Sequence, residues 1–118
     1  MKIFLIMTLS ILCLACSNEP EFDSAQLSSI EAEANELLLS LPSQSFEIDV
    51  SRAPSISELS PKSVYITDEG LYIQLNTGFS SENGLFILRN GRSVDTEAGS
   101  DPEYKHIDKH VYHYKIEG

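Results

Sequence analysis

One segment of the chain has helical periodicity, and the patterned segments that follow it alternate as β-strands do. In residues 23–42 the apolar side chains recur at steps of three and four, which places them on one face of a helix. They are Leu27, Ile30, Ala34, Leu37, Leu38 and Leu41. Asp23 and Gln26 have capping-box spacing, and Pro42 ends the run. An amphipathic helix of this kind needs an apolar surface to cover.

Five later segments are predicted to be strands because they alternate with a period of two or are short and apolar. They are FEIDV (46–50), SVYIT (63–67), LYIQL (71–75), LFILR (85–89) and HVYHYKI (110–116). One helical turn is predicted near residues 56–59, and residues 90–108 are predicted to be a long polar connection. A tight turn at DEG places Gly70 in a glycine bulge. The fold class is α+β, with one N-terminal amphipathic helix packed on a four- to five-stranded antiparallel sheet.

The alternation also predicts which side chains face the helix. The set that we expect beneath it is Val64, Ile66, Leu71, Ile73 and Leu75, joined by Tyr112, Tyr114 and Ile116 from the last strand. The set that we expect to point outward is Tyr65, Tyr72, Gln74, His113 and Lys115. An outward Tyr65 and Tyr72 pair predicts a binding surface for a sugar or a peptide, although such cross-strand pairs are commonly structural.

The charge of the chain limits its partners. Among 118 residues, 8 are Lys or Arg and 18 are Asp or Glu, which gives a net charge of -10. This surface repels phosphates, so we expect no nucleic-acid partner, and it lacks the basic clusters that adsorb to anionic lipid. A basic protein or a cationic ligand is the partner that electrostatics favours.

Both cysteines, Cys13 and Cys16, lie at the amino-terminal end, so nothing downstream can form an internal disulfide. Lys2 precedes an uncharged, mostly apolar run over residues 3–15. That run is shorter than the roughly 20 residues that cross a bilayer, and it is typical of a secretory signal. A small residue, Ala15, stands directly before Cys16.

Residues 1–17 thereby resemble the signal peptides of bacterial lipoproteins, which end in a lipobox with a small residue before cysteine. The resemblance implies a signal peptide at 1–15 and a lipid on Cys16, followed by a short tether at 16–22. The helix and strand patterns of the remaining residues then predict a single small α+β domain at 23–118. Ser17 then implies sorting to the outer membrane, with the domain facing the periplasm. Two acyl chains would hold a protein firmly to a bilayer. The alternative is a plain cleaved signal and a free periplasmic protein.

The strand region resembles small bacterial proteins of unknown activity, through its VYI, GLYI, GLFIL, DPEY and VYHY segments. That resemblance implies no function. The histidines His106, His110 and His113, with Asp108 between them, have ligand types suited to zinc. His110 and His113 fall on opposite faces of the predicted strand, however, so these histidines are weak metal candidates and no cofactor is predicted.

The catalytic motifs that sequence can reveal are missing: the chain has no Gly-x-Ser-x-Gly elbow and no phosphate-binding loop. We therefore expect a non-catalytic lipoprotein that engages another envelope protein. One alternative is an acidic inhibitor or immunity-type lipoprotein that masks a basic target. The other is a metal-dependent enzyme.

Overall fold

A computed structural model describes residues 22–77 and 81–117 of the chain. The predicted α+β class is confirmed there: a five-stranded antiparallel sheet is joined by one long helix and one short one. In chain order the elements are α1 (Ser24–Ser40), α2 (Pro54–Ser57), β1 (Ser63–Ile66), β2 (Gly70–Thr77), β3 (Ser81–Leu88), β4 (Glu103–Asp108) and β5 (Val111–Glu117). The strands lie in the order β1-β2-β3-β5-β4, and every neighbouring pair is antiparallel.

Helix α1 begins and ends where the sequence predicts. The carboxylate of Asp23 accepts a hydrogen bond of 2.7 Å from the backbone N–H of Gln26, which satisfies a free donor of the first turn. Leu41 is extended, and Pro42 follows it. The residues that the helix buries are Leu27, Ile30, Ala34 and Leu38.

Two apolar clusters hold the fold, one on each face of the sheet. The helix-side cluster joins the buried residues of α1, and Ile56 of α2, to residues of the sheet, namely Val64, Ile66, Leu71, Ile73, Leu85, Ile87 and Val111. The aromatic cluster, on the opposite face, consists of Tyr72, Phe86, Leu88, Tyr104 and Tyr114, with Tyr65, Val94, Tyr112 and Ile116 partly buried against it. The sheet is therefore apolar on both faces.

The second cluster corrects the predicted orientation of the last strand. Val111 lies beneath the helix, whereas Tyr112, Tyr114 and Ile116 pack into the aromatic cluster. The prediction assigned the more apolar set to the helix. That criterion fails when both faces of a sheet are covered by apolar contacts.

The segment FEIDV is not a strand, although its alternation predicted one. Ser45 and Ile66 form an isolated bridge, and the N–H of Ile48 donates to the carbonyl of Val64 at 3.0 Å. Between these contacts Glu47 has a φ of 52°, in the left-handed region, which breaks the alternation. Ile48 packs against the helix-side cluster, while Phe46 stacks on Tyr65 across the other face.

The predicted polar connection at 90–108 contains strand β4, which pairs with β5 at the edge of the sheet. Tyr104 is the buried residue of this strand, and Lys105, His106 and Ile107 are exposed. An edge strand with so little buried surface shows no apolar alternation, so its sequence is typical of a loop.

Gly70 is also placed differently from the prediction. It begins β2 rather than adopting a left-handed bulge, and the N–H of Thr67 donates to its carbonyl at 2.9 Å. A β-carbon at this position would lie 2.1 Å from the carbonyl oxygen of Ile87. Close approach of two strands, rather than turn geometry, therefore requires glycine here.

Candidate functional site

An aromatic row crosses the face of the sheet that lies opposite the helix. The register aligns Tyr65 with Tyr72, Tyr72 with Phe86, Phe86 with Tyr112, and Tyr112 with His106. Each of the five strands thus contributes one ring to a single line of cross-strand neighbours. Such pairs are the contacts through which side chains stabilise a sheet.

The rings of this row are in contact along its length. Tyr65 and Tyr72 stack with centroids 4.9 Å apart and planes 12° apart, and Tyr72 meets Phe86 at 4.6 Å. Phe86 and Tyr112 are 6.2 Å apart, and the ring of His106 is 5.1 Å from that of Tyr112. These separations lie in the range in which aromatic pairs attract one another.

The two tyrosines of the predicted binding surface differ in exposure. Both lie on the face opposite the helix, as predicted, but Tyr72 is only 4% exposed and Tyr65 is partly buried. Phe86 and Tyr114 both contact the Tyr72 ring. The expectation that Tyr72 points into solvent is therefore wrong, because the aromatic cluster encloses it.

The carboxylate of Glu82 joins the hydroxyl groups of two tyrosines. Its Oε2 atom accepts hydrogen bonds from the hydroxyls of Tyr65, at 2.5 Å, and Tyr114, at 2.6 Å. The hydroxyls of Tyr72 and Tyr104 bond each other at 2.5 Å. Glu82 is partly buried on β3, in the part of that strand that precedes the predicted strand at 85–89.

These surroundings keep the tyrosines protonated. Burial raises the pKa of Tyr65, Tyr72, Tyr104 and Tyr114 above the ordinary value. The neighbouring Glu82 carboxylate raises the pKa of Tyr65 and Tyr114 further, because it accepts hydrogen bonds from their protonated hydroxyls and opposes a second negative charge. The four hydroxyl groups act as hydrogen-bond donors and acceptors at neutral pH, not as phenolate nucleophiles.

Phe46 extends the row beyond β1 and is largely exposed. Its ring lies 6.1 Å from that of Tyr65, with the planes 22° apart, and the residue is 65% exposed. The bridge between Ser45 and Ile66 and the turn at Glu47 fix the backbone on either side of it. The exposed end of the row therefore combines aromatic surface with the Glu82 carboxylate, a combination that suits a cationic group.

The structure does not bring the predicted histidines together. Nε2 of His106 is 2.7 Å from the carbonyl oxygen of Lys109, and Nδ1 of His110 is 3.6 Å from a carboxylate oxygen of Glu31. His113 pairs with Leu85 and so lies on the helix side of the sheet, opposite His106. Within residues 22–77 and 81–117, no three His, Cys, Asp or Glu side chains are grouped as metal ligands.

A separate cavity of about 360 Å³ lies between the end of α1 and the end of β3. Arg89 lines it and donates to the carbonyls of Leu38, Thr67 and Asp68, which ties the helix to the turn before β2. Leu39, 89% exposed, stands at its rim. The guanidinium of Arg89 serves the fold here, because three backbone carbonyls already accept its hydrogen bonds.

Sequence reasoning missed Glu82, Phe46, Tyr104 and Tyr114 as neighbours of the predicted tyrosine pair. One signal was available. The chain has five tyrosines, and all five contribute to the aromatic cluster: Tyr65, Tyr72, Tyr104, Tyr112 and Tyr114. Their concentration in segments that also alternate could have indicated a second covered face.

The predicted signal peptide at 1–15, the lipid site at Cys16 and the tether at 16–22, apart from Phe22, lie outside the described residues. In the part of the chain that is described, no helix has the length and apolar character needed to cross a membrane. Comparison with protein-family models, with curated proteins and with solved structures finds no match.

Proposed function

We propose that this protein is a non-catalytic lipoprotein of the bacterial outer membrane that faces the periplasm and binds another envelope protein. The anchor in this proposal is a lipid on Cys16, after removal of residues 1–15. The folded part is a single domain, 23–118, in which α1 is the N-terminal amphipathic helix. The observation that carries the binding role is the exposed aromatic surface of Phe46 beside the Tyr65–Glu82 pair.

Electrostatics supports a basic partner for this surface. The chain carries a net charge of -10, so a basic protein is attracted over a distance and a nucleic acid is repelled. The same charge supports a second candidate role, that of an acidic inhibitor or immunity-type lipoprotein that masks a basic toxin or enzyme. In either role the complex should dissociate steeply as salt concentration rises.

A non-catalytic role fits the chemistry of the aromatic cluster. The hydroxyls of Tyr65, Tyr72, Tyr104 and Tyr114 are engaged with each other or with Glu82, and their raised pKa values keep them from acting as bases near neutral pH. The histidines, which would be the natural general bases, are distributed over two faces of the sheet.

The anchor is tested by metabolic labelling of cells with an alkyne fatty acid. We expect the wild-type protein and the Cys13→Ala variant to incorporate the label, and the Cys16→Ala variant to lose it. Cys13→Ala is the matched control because it removes the other thiol of the chain. Equal labelling of the wild type and Cys16→Ala would refute the anchor, and so would loss of label from Cys13→Ala alone.

A further inference from the structure

We propose that Glu82, Tyr65 and Phe46 form a site for an arginine side chain of a basic partner protein. This inference deepens the proposed binding role and depends on it for the existence of a protein partner. The site places one carboxylate at the hydroxyl end of Tyr65 and one exposed ring against the Tyr65 ring. An arginine side chain carries the two matching features, a charged donor and a flat surface that stacks on rings.

The charge of Glu82 lacks a cationic partner within residues 22–77 and 81–117. Its bonds there come from the hydroxyls of Tyr65 and Tyr114, and both go to the Oε2 atom. A partly buried carboxylate gains most from a positively charged donor, since such bonds are roughly twice as strong as neutral ones. The Oε1 atom accepts no bond from the described residues and is the acceptor that a guanidinium would use.

The ring that stacks on the outer side of Tyr65 is accessible. Phe46 is 65% exposed and Tyr65 is partly buried, while Tyr72 covers the inner side of the Tyr65 ring. A cation placed over an aromatic face is attracted by the negative charge density of the ring. Phe46 is thus placed to contact the stem or the guanidinium plane of an arginine whose head bonds Glu82.

The site is held in place before any partner binds. Two hydrogen bonds connect Ser45 and Ile66, at 2.7 and 3.3 Å, and a third joins Ile48 to Val64. Tyr65 is fixed between Phe46 and Tyr72, and Tyr114 and Tyr65 orient the Glu82 carboxylate. Such preorganisation lowers the entropy that binding would otherwise cost.

Arginine is favoured over lysine by the shape of the site. The guanidinium is planar, is weakly hydrated and stacks on aromatic faces, whereas the lysine ammonium is a compact and strongly hydrated charge. A site made only of negative charge would not distinguish them. The discrimination between the two side chains therefore tests the contribution of the rings.

The experiment uses the full-length protein purified in a nonionic detergent and the peptide acetyl-Gly-Arg-Gly-amide. Saturation-transfer NMR at low salt should detect contact with the arginine side chain, and a titration should yield a Kd. We expect the lysine peptide to bind at least three-fold more weakly. We also expect Glu82→Gln to weaken arginine binding at least five-fold and Phe46→Ala at least two-fold.

The control for charge alone is Glu58→Gln, because Glu58 is exposed and lies beside α2 rather than near the aromatic row. It should leave the Kd within two-fold of the wild type. An equal loss of affinity in Glu58→Gln and Glu82→Gln would overturn the proposal, as would equal affinity for the two peptides. If Glu82→Gln fails to fold, the Kd of Phe46→Ala for the arginine peptide tests the proposal, because Phe46 is largely solvent-exposed and its replacement should not disturb folding.

The result is independent of the anchor test. If Cys16→Ala loses the fatty-acid label but the protein binds no arginine peptide, the lipid anchor is supported and the arginine site is refuted. If the protein binds the arginine peptide but incorporates no fatty acid, the arginine site is supported and the anchor is refuted.

Discussion

At the scale of single residues, the backbone of Glu47 helps to position Phe46 in the candidate site. Its left-handed backbone, with a φ of 52°, sends Phe46 to one face of the sheet and Ile48 to the other. A non-glycine residue in this region costs about 1 kcal/mol. The residues of FEIDV therefore alternate in sequence without forming a strand, because the left-handed backbone of Glu47 interrupts the extended conformation.

Glycine at this position should relieve the cost. We expect Glu47→Gly to have a free energy of unfolding about 1 kcal/mol higher than Glu47→Ala, measured by urea denaturation. The comparison pair is Glu36→Gly against Glu36→Ala, inside α1, where glycine should be worse by about 1 kcal/mol. If the glycine variant were less stable than the alanine variant at both positions, the left-handed assignment of Glu47 would be contradicted.

Gly70 and Gly91 should respond differently to alanine. At Gly70 a β-carbon would meet the backbone of Ile87 at 2.1 Å, so we expect Gly70→Ala to lower the free energy of unfolding by about 3 kcal/mol or more. At Gly91 there is open space and a φ of 84°, so the cost is that of the backbone alone, about 1 kcal/mol. Thermal unfolding of both variants checks the order, and equal losses would argue against strand contact at Gly70.

At the scale of elements, Glu33 of α1 holds the short helix α2 in place. Its carboxylate accepts hydrogen bonds of 3.0 Å from the backbone N–H groups of Ser55 and Ile56. A helix of four residues has little stability of its own, and Ile56 is fully buried. Glu33 therefore connects two parts of the fold that the sequence does not show to be neighbours.

Removal of this carboxylate should weaken the fold. We expect Glu33→Ala to lower the free energy of unfolding by about 1–2 kcal/mol, in line with the loss of a helix cap. Glu36→Ala is the matched control, because Glu36 is exposed on the same helix. Chemical denaturation of the two variants side by side is the measurement, and a loss no greater than that of Glu36→Ala would show that the contact contributes nothing.

The elements predicted correctly are those whose buried apolar residues recur at the period of a helix or of a strand. Helix α1 has a cap, a periodic apolar face and a terminating proline, and β1 and β2 alternate over a buried face. Strand β4 was missed because it lies at the edge of the sheet. The prediction assigned the wrong residues of β5 to the helix side, because the outer face of β5 is also covered. Local sequence shows the period of a strand, but not how many sides of it are buried.

The candidate site was predicted only in part, for a related reason. Tyr65 and Tyr72 were expected on the same face, and they stack there. Glu82 reaches Tyr65 across strand β2, a contact of residues 17 positions apart that depends on strand order and register. Strand order and register cannot be read from a local sequence pattern, so the sequence could not identify the Glu82 carboxylate at the centre of the site.

At the scale of the whole molecule, the buried tyrosines couple stability to alkaline pH. Burial raises the pKa of Tyr72 and Tyr114 in the folded state above the value near 10 of the unfolded chain. Above that pH the unfolded chain releases these protons and the folded protein keeps them, so stability is complete below pH 10 and falls above it. Each such tyrosine contributes a slope of up to about 1.4 kcal/mol per pH unit.

We expect the free energy of unfolding to fall between pH 10 and pH 11.5, and to fall less steeply in Tyr72→Phe. Denaturant titrations at a series of pH values give the slopes, and absorbance at 295 nm reports tyrosinate in the folded protein. Tyr72→Phe isolates one group from the lysines that titrate in the same range. Identical slopes in the two proteins would contradict the assigned environment of Tyr72.

The two edges of the sheet affect how readily copies of the protein aggregate at high concentration. Segment 45–48 bonds to the outer side of β1 at Ser45 and at Ile48 and is kinked between them at Glu47, so it offers no straight template for another chain. At the opposite edge the pairing of β4 shifts register between His106 and Asp108, and Lys105 is exposed. Irregular and charged edges of this kind hinder edge-to-edge strand pairing between copies. The folded protein should therefore resist aggregation at high concentration.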